Sequence, residues 1–250
     1  MKNLILTLLA TCLATGVWAQ SVNVTKGKQL YEAERYEQAL PYLQKAVEEG
    51  DIDSKARMAT MIFTQPFMDM EGIGQEGALA MLDECIAAGS VYAMERKGFC
   101  NLLMGKDTKA DKLAAIELLR QASEKGSGDA SAELFNVYRH GLKSYADGEE
   151  YIAINDSLAT QFAHTAAEQG NIEGLAYVGW YTYSGTHGYE KDVATGVQLM
   201  EEADRNNRRI FTTNCLEPAK ALCAHYKAQG QNAKATPMMT LLKKYHPTEF

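Results

Sequence analysis

Between residues 22 and 50 the apolar and small positions recur at helical spacing. Counting from Gly27, Leu30 stands at +3, Tyr36 at +9, Ala39 at +12, Leu43 at +16 and Ala46 at +19. The pattern predicts one amphipathic helix before Tyr36 and a second after it, with small residues where the two backbones approach. Only Glu34-Arg35-Tyr36 lies between them, a connection short enough to force an antiparallel hairpin.

The hairpin closes on a phrase that the chain repeats: Ala46-Val47-Glu48-Glu49-Gly50, Ile86-Ala87-Ala88-Gly89, Ala122-Ser123-Glu124-Lys125-Gly126 and Ala166-Ala167-Glu168-Gln169-Gly170. The closing glycines are 39, 37 and 44 residues apart, the range in which one supersecondary unit is copied and stacked. Six hairpins are expected, over residues 22–50, 51–89, 90–126, 127–170, 171–207 and 211–246. No run alternates in the manner of a half-buried strand. The expected fold is therefore all-α: a right-handed α-solenoid of about six stacked antiparallel hairpins, in a single domain over residues 20–250. Pro218 and Thr236-Pro237 are expected to start the two helices of the last hairpin, which caps the stack.

The offsets of the first unit resemble the tetratricopeptide repeat, lacking only its closing Pro. The later units resemble its relative, the Sel-1-like repeat, which keeps the helix pair and lengthens the loop inside it. That pattern runs Ala, Leu-Gly four residues on, Tyr, two loop glycines, Asp, Lys-Ala and a closing Ala-Ala-Glu-x-Gly. Ala130, Leu134, Tyr138, Gly141 and residues 166–170 match it, as do Val178-Gly179, Gly185, Gly188, Asp192 and Gly196. Asp107 or Asp111 with Ala114 and Ala115 hold the same places in the unit around residues 91–126. Phe135 replaces the glycine of the pattern, and Asn101 and Thr182 its tyrosine.

The resemblance implies a scaffold or adaptor that binds a protein or peptide segment in a concave groove. It also implies an alternative, since some cysteine-rich Sel-1-like proteins are described as binding or slowly hydrolysing penicillin: a cysteine-containing β-lactamase or a peptidoglycan-binding protein. Those relatives carry a Cys pair in every repeat, whereas here Cys85 has Ala93 at the matching downstream position.

In such stacks the first helix of each hairpin lines the inner face. The position held by Gly27 packs on the second helix, so residues at +1 and +4 from it share a stripe rotated about 100° toward the groove. Through the six units this stripe reads Lys28 and Tyr31, Thr60 and Phe63, Phe99 and Leu102, Asn136 and Arg139, Trp180 and Tyr183, then Ala224 and Lys227. Four units place an aromatic there in a chain that is 9% aromatic, and Arg139-His140 supplies a polar centre. Aromatic and Arg side chains anchor recognition more often than other types. The candidate binding residues are therefore Tyr31, Phe63, Phe99, Asn136, Arg139, His140, Trp180 and Tyr183, with burial between repeats as the competing role. Tyr138 and Tyr177 are assigned to packing. The long loop from Leu142 to Ile154 is a second place where specificity can reside, although Glu149 onward favours an early start to the next helix.

Residues 1–19 are of another kind. Lys2 is the one charge, an apolar run follows, and Val17-Trp18-Ala19 ends on small residues, as in a secretory signal peptide cut before Gln20. The expected location is the periplasm or the outside of the cell. Leu9-Ala10-Thr11-Cys12 offers a competing lipoprotein reading with Cys12 as anchor, and the apolar stretch is too short and broken for a transmembrane span. Losing Lys2 takes the net charge from −7 to −8, which leaves no electrostatic footprint for nucleic acid or anionic lipid. Export would place Cys85, Cys100, Cys215 and Cys223 in an oxidising compartment with three possible full pairings, Cys215–Cys223 being the best local pair. Four small buried hydrophobes are the other reading.

Gly72-Ile73-Gly74-Gln75-Glu76-Gly77 spells the dinucleotide fingerprint, but the fingerprint needs a preceding strand, and here it follows a helix where each repeat keeps its loop glycines. The five histidines show no ligand spacing, and no nucleophile motif is present. Glu149 and Glu150 are adjacent, so on a helix they diverge by about 100° and make no catalytic pair. No catalytic residue, cofactor or metal is expected.

Overall fold

The computed structural model describes residues 21–65, 67 and 72–250; the expected signal peptide and Cys12 lie outside the described residues. The helices are α1 Val22–Glu32, α2 Tyr36–Glu48, α3 Ile52–Thr64, α4 Gly74–Ala87, α5 Val91–Met104, α6 Lys109–Glu124 and α7 Gly128–His140. After two short strands, β1 Leu142–Lys143 and β2 Glu150–Ile152, come α8 Asp156–Glu168, α9 Ile172–Ser184, α10 Val193–Asn206, α11 Arg208–Asn214, α12 Leu216–Ala228 and α13 Asn232–Tyr245. The chain divides into two compact units, the first ending at Met81 and the second running from Leu82 to Phe250, with the boundary inside α4. The all-α solenoid of helix hairpins is what the glycine spacing predicted.

At four junctions only three residues separate one hairpin from the next. After α2, α4, α6 and α8, Gly50, Gly89, Gly126 and Gly170 take φ of +90°, +94°, +95° and +82°, the left-handed turn that only glycine enters at no steric cost. The following residue donates its N–H back to the last turn: Asp51 to Ala46, Ser90 to Cys85, Ser127 to Ala122 and Asn171 to Ala166, at 2.9 to 3.0 Å. That same residue then caps the next helix, its side-chain oxygen accepting from the N–H of Ser54, Ala93, Ala130 and Gly174 respectively. One residue thus ends a helix and starts another.

In the first unit, Leu30, Ala39, Leu43 and Met61 form the core. A Cβ on Gly27 would lie 2.9 Å from Leu43 Cδ2, which is why the position facing the second helix is glycine. In the second unit, α5 packs on α6, α7 on α8, α9 on α10 and α12 on α13, while α5, α7, α9 and α12 also touch in sequence and make one layer. Gly98 and Gly179 repeat the Gly27 approach, at 2.8 Å from Leu119 and 2.9 Å from Leu199. Phe135 and Cys223 hold that register position in α7 and α12, both 0% exposed.

Four local expectations change. The Leu142–Ile154 loop does not start a helix early: β1 and β2 pair antiparallel there, and α8 begins only at Asp156, capped by Asn155. Asp107 explains it, accepting from Tyr145 N at 2.7 Å and from Ser144 Oγ at 3.1 Å while its carbonyl takes the Tyr151 hydroxyl at 3.0 Å. The loop is tied to the turn after α5. Second, Cys85, Cys100, Cys215 and Cys223 are all buried, and Cys215 and Cys223 are free thiols. Cys215 caps the helix that contains Cys223, so the two are separated by about two turns, roughly 12 Å, beyond a disulfide's reach. Third, Pro218 does sit in the first turn of α12, but Pro237 lies inside α13, which starts at Asn232. Fourth, a further short helix, α11, precedes the last hairpin.

Candidate functional site

The α5–α7–α9–α12 layer carries the chemistry of the second unit. Phe135 and Tyr177 meet at 4.8 Å between ring centroids and form an apolar floor under Arg139. The guanidinium lies 4.4 Å over the Tyr177 ring and donates to Glu217 Oε2 at 3.0 Å. The Tyr177 hydroxyl donates to the same oxygen at 2.9 Å. Burial disfavours the Glu217 carboxylate, yet the hydrogen bonds from Arg139 and Tyr177 outweigh it and hold its pKa below the usual value. Burial pushes the Tyr177 phenol well up, so it stays a donor. Three helices are thereby locked together by one charged centre. Tyr177, first assigned to packing, both packs and holds that centre.

Beside it opens a cleft of about 260 Å³ lined by Arg139, Asp156, Ala159, Trp180, Tyr181 and His187. Trp180 lies 5.5 Å from Tyr181, and the His187 ring stacks on Tyr181 at 4.0 Å. His187 adopts φ +55°, a conformation that costs a non-glycine residue about 1 kcal/mol and persists only when neighbours impose it. The stacking is such a neighbour. Burial raises the Tyr181 phenol to about 12.

The stripe residues divide. Arg139 and Trp180 come together in the cleft. Asn136 donates to Glu173 at 3.2 Å, Tyr183 packs edge-on to His225 at 5.9 Å, and the Phe99 ring lies 4.5 Å under the Arg96 guanidinium. His140 is exposed, its pKa lowered first by burial and then by Arg139. In the first unit Tyr31 is half-buried against Tyr36. Phe63 is 2% exposed and belongs to the interior, so it drops out of any binding surface.

The same face holds acids that the +1 and +4 offsets passed over. Glu133 is pushed to about 7, by burial first and then by Glu173, with Glu95 and Asp129 adding and Arg96 opposing. Glu173 also takes a hydrogen bond from Asn214. Tyr92, Asp129, Glu173 and Glu217 all stand six residues before the packing position of their helix, which is the same stripe continued two turns toward the N-terminus. Extending the stripe would have found them. Asp156, Tyr181 and His187 had no such signal, because they come from a neighbouring helix start, a buried position and a loop.

The fingerprint glycines carry no nucleotide geometry. Gly72 and Gly74 take φ of +68° and +69°, α4 starts at Gly74, and the two strands described lie elsewhere. Among the described residues no group of three or more His, Cys, Asp or Glu could hold a metal, and no helix is long and apolar enough to cross a membrane.

Two solved structures share this fold. A Sel1 repeat protein from Oxalobacter formigenes superposes with a TM-score of 0.54 at 20% identity, over 88% of this chain and 84% of its own. The fold is that of the Sel1-like repeats. The c5321 protein, a protective antigen of uropathogenic Escherichia coli strains with the same Sel1-like repeat (SLR) fold, also gives a TM-score of 0.54, at 21% identity over 91% of this chain. This chain spans 45% of that antigen's length. No protein-family model and no curated protein matches the sequence. The Sel1-like hairpin accounts for the glycine junctions.

Proposed function

We propose that this Sel1-like repeat protein is a non-catalytic scaffold whose α7–α9–α12 face holds a segment of another protein. The observation that carries the reading is the cleft beside Arg139. Its volume, about 260 Å³, falls below the roughly 300–1,000 Å³ of small-molecule pockets and suits one inserted side chain. Its walls are aromatic and braced by a charged centre, so little ordering remains to oppose binding. The leader-like residues 1–19 support export as the setting in which the partner is met.

The test is a photo-crosslinking amino acid placed at Ala224, exposed on α12, in the envelope fraction of producing cells. A discrete crosslinked protein, lost in Trp180→Ala with the melting temperature retained, is the expected result. Loss of stability without any crosslinked product overturns it, and nitrocefin hydrolysis by the purified protein would replace it with an enzymatic reading. Export is checked by N-terminal sequencing, with Gln20 as the expected first residue.

A further inference from the structure

Three groups at the cleft differ in how far their hydrogen-bonding needs are met. Arg139 is answered by Glu217 at 3.0 Å and by the Tyr177 ring. Asp156 is not: its side chain is exposed and forms no hydrogen bond or ion pair among the described residues. Tyr181 is 2% exposed, and its hydroxyl also has no hydrogen-bond partner among the described residues. A buried phenol normally finds one, because leaving it unpaired costs about 1–3 kcal/mol. The Tyr181 oxygen is not among the buried side-chain atoms sealed from solvent, so the cleft that Tyr181 lines is where it meets water or a ligand. The cleft therefore has a spare carboxylate, a spare hydroxyl able to accept, and the Trp180 indole and Tyr181 phenol as wall faces.

We propose that this cleft binds a cationic side chain, lysine or arginine, presented by the partner segment. The inference rests on the scaffold reading and gives that partner its chemistry. The cation pairs with Asp156, donates to the Tyr181 oxygen and lies against the indole, a combination of ion pair and cation–π contact. A carboxylate ligand would gain an Arg139 already engaged and would face Asp156. The surrounding face agrees in sign: Glu133, Glu173 and Glu217 lie on the same layer with Arg139 as the cation at its centre, and the whole chain is net −7. Such a field favours encounter with basic segments.

The experiment uses short synthetic peptides of one random-coil scaffold carrying lysine, arginine, glutamine or glutamate at one position, titrated by calorimetry into the purified full chain. Lysine and arginine peptides are expected to bind about tenfold or more tightly than the glutamine peptide, with the advantage shrinking as salt is raised. Asp156→Asn should erase that preference, bringing the lysine and arginine peptides down to the affinity of the glutamine peptide. Asp156 is an exposed first-turn residue of a helix capped by Asn155, so the variant should retain its melting temperature. Tyr181→Phe should weaken the basic peptides by a smaller factor. Equal or tighter binding of the glutamine or glutamate peptides overturns the cation site and leaves the scaffold reading standing. Crosslinking at Ala224 without any peptide binding does the same. Absence of both removes both.

Discussion

The two units present the same register positions and treat them differently. At +1 and +4 the second helix pair of the first unit has Thr60 and Phe63, 3% and 2% exposed. The equivalent residues of α7 and α9, Asn136, Arg139, Trp180 and Tyr183, stay half-buried and meet polar or aromatic partners. The cause is the width of the apolar surface. Helix α3 buries Ser54, Ala56, Arg57, Ala59, Thr60, Met61, Ile62 and Phe63, so it is enclosed on nearly every side. Helix α7 keeps Glu133, Asn136 and Arg139 on an open edge. Register sets the direction in which a side chain points, and the neighbouring helices decide whether that direction is a surface.

The comparison can be broken most forcefully at Phe63. Phe63→Ala should cost about 3–4 kcal/mol in urea unfolding, as for other core phenylalanines, and leave partner capture intact; Trp180→Ala should do the reverse. A loss under about 1 kcal/mol at Phe63 would put that side chain back on the surface.

The pH dependence is next in size. The Glu133 carboxyl is raised from 4.5 to about 7 in the folded chain. A raised acid contributes stability in full below 4.5 and loses it as pH climbs through 7, because the unfolded chain releases its proton first. Glu133→Gln should flatten that decline, by on the order of 2 kcal/mol. The groups facing Glu133 are Glu95 and Arg96 from α5 and Glu173 from α9, with Asp129 on its own helix. An unchanged profile would mean that water reaches the carboxyl.

Smaller still is the Arg139 centre. Its side chain is 22% exposed and that of Glu217 40%, so Glu217→Ala should cost about 1–2 kcal/mol rather than the 3–5 of a sealed pair. Titration of the wild-type centre runs opposite to Glu133: its contribution holds above pH 4.5 and fades as acid protonates Glu217.

The smallest effect lies in the first unit. Just past α1, Glu34 stands at φ +58°, the position that glycine holds at Gly50, Gly89, Gly126 and Gly170. Glu34→Gly should raise stability by about 0.5–1 kcal/mol, read as a shift in the unfolding midpoint at unchanged slope. No gain would show that a local contact of Glu34 offsets the strain.

The hairpins were legible because their ends are chemical: the glycine turn and the capping residue after it are local requirements, met or not met within six residues. The Asp107 tie to Ser144 and Tyr145 was not legible, since it joins residues 37 and 38 positions apart through an aspartate that looks like any loop acid. The cysteine pairing failed for a related reason. Pro218 suggested a break, but a proline within the first turn leaves a helix intact, and α12 runs on through Cys223. At the site, Arg139 and Trp180 were readable as a stripe and their meeting in one cleft was not, because it depends on His187, Tyr181 and the start of α8.

The three-residue junctions leave little slack between hairpins. Asp51, Ser90, Ser127 and Asn171 each hold one helix by the main chain and the next by the side chain, so an insertion there would uncouple both. Added length is instead taken up inside a hairpin, as at residues 142–154, where it projects as a loop. The chain is built like a ruler with fixed graduations. Only an insert that itself begins with a capping residue and ends in glycine would restore both contacts, whereas appendages hung from the inner turns leave the marks where they are.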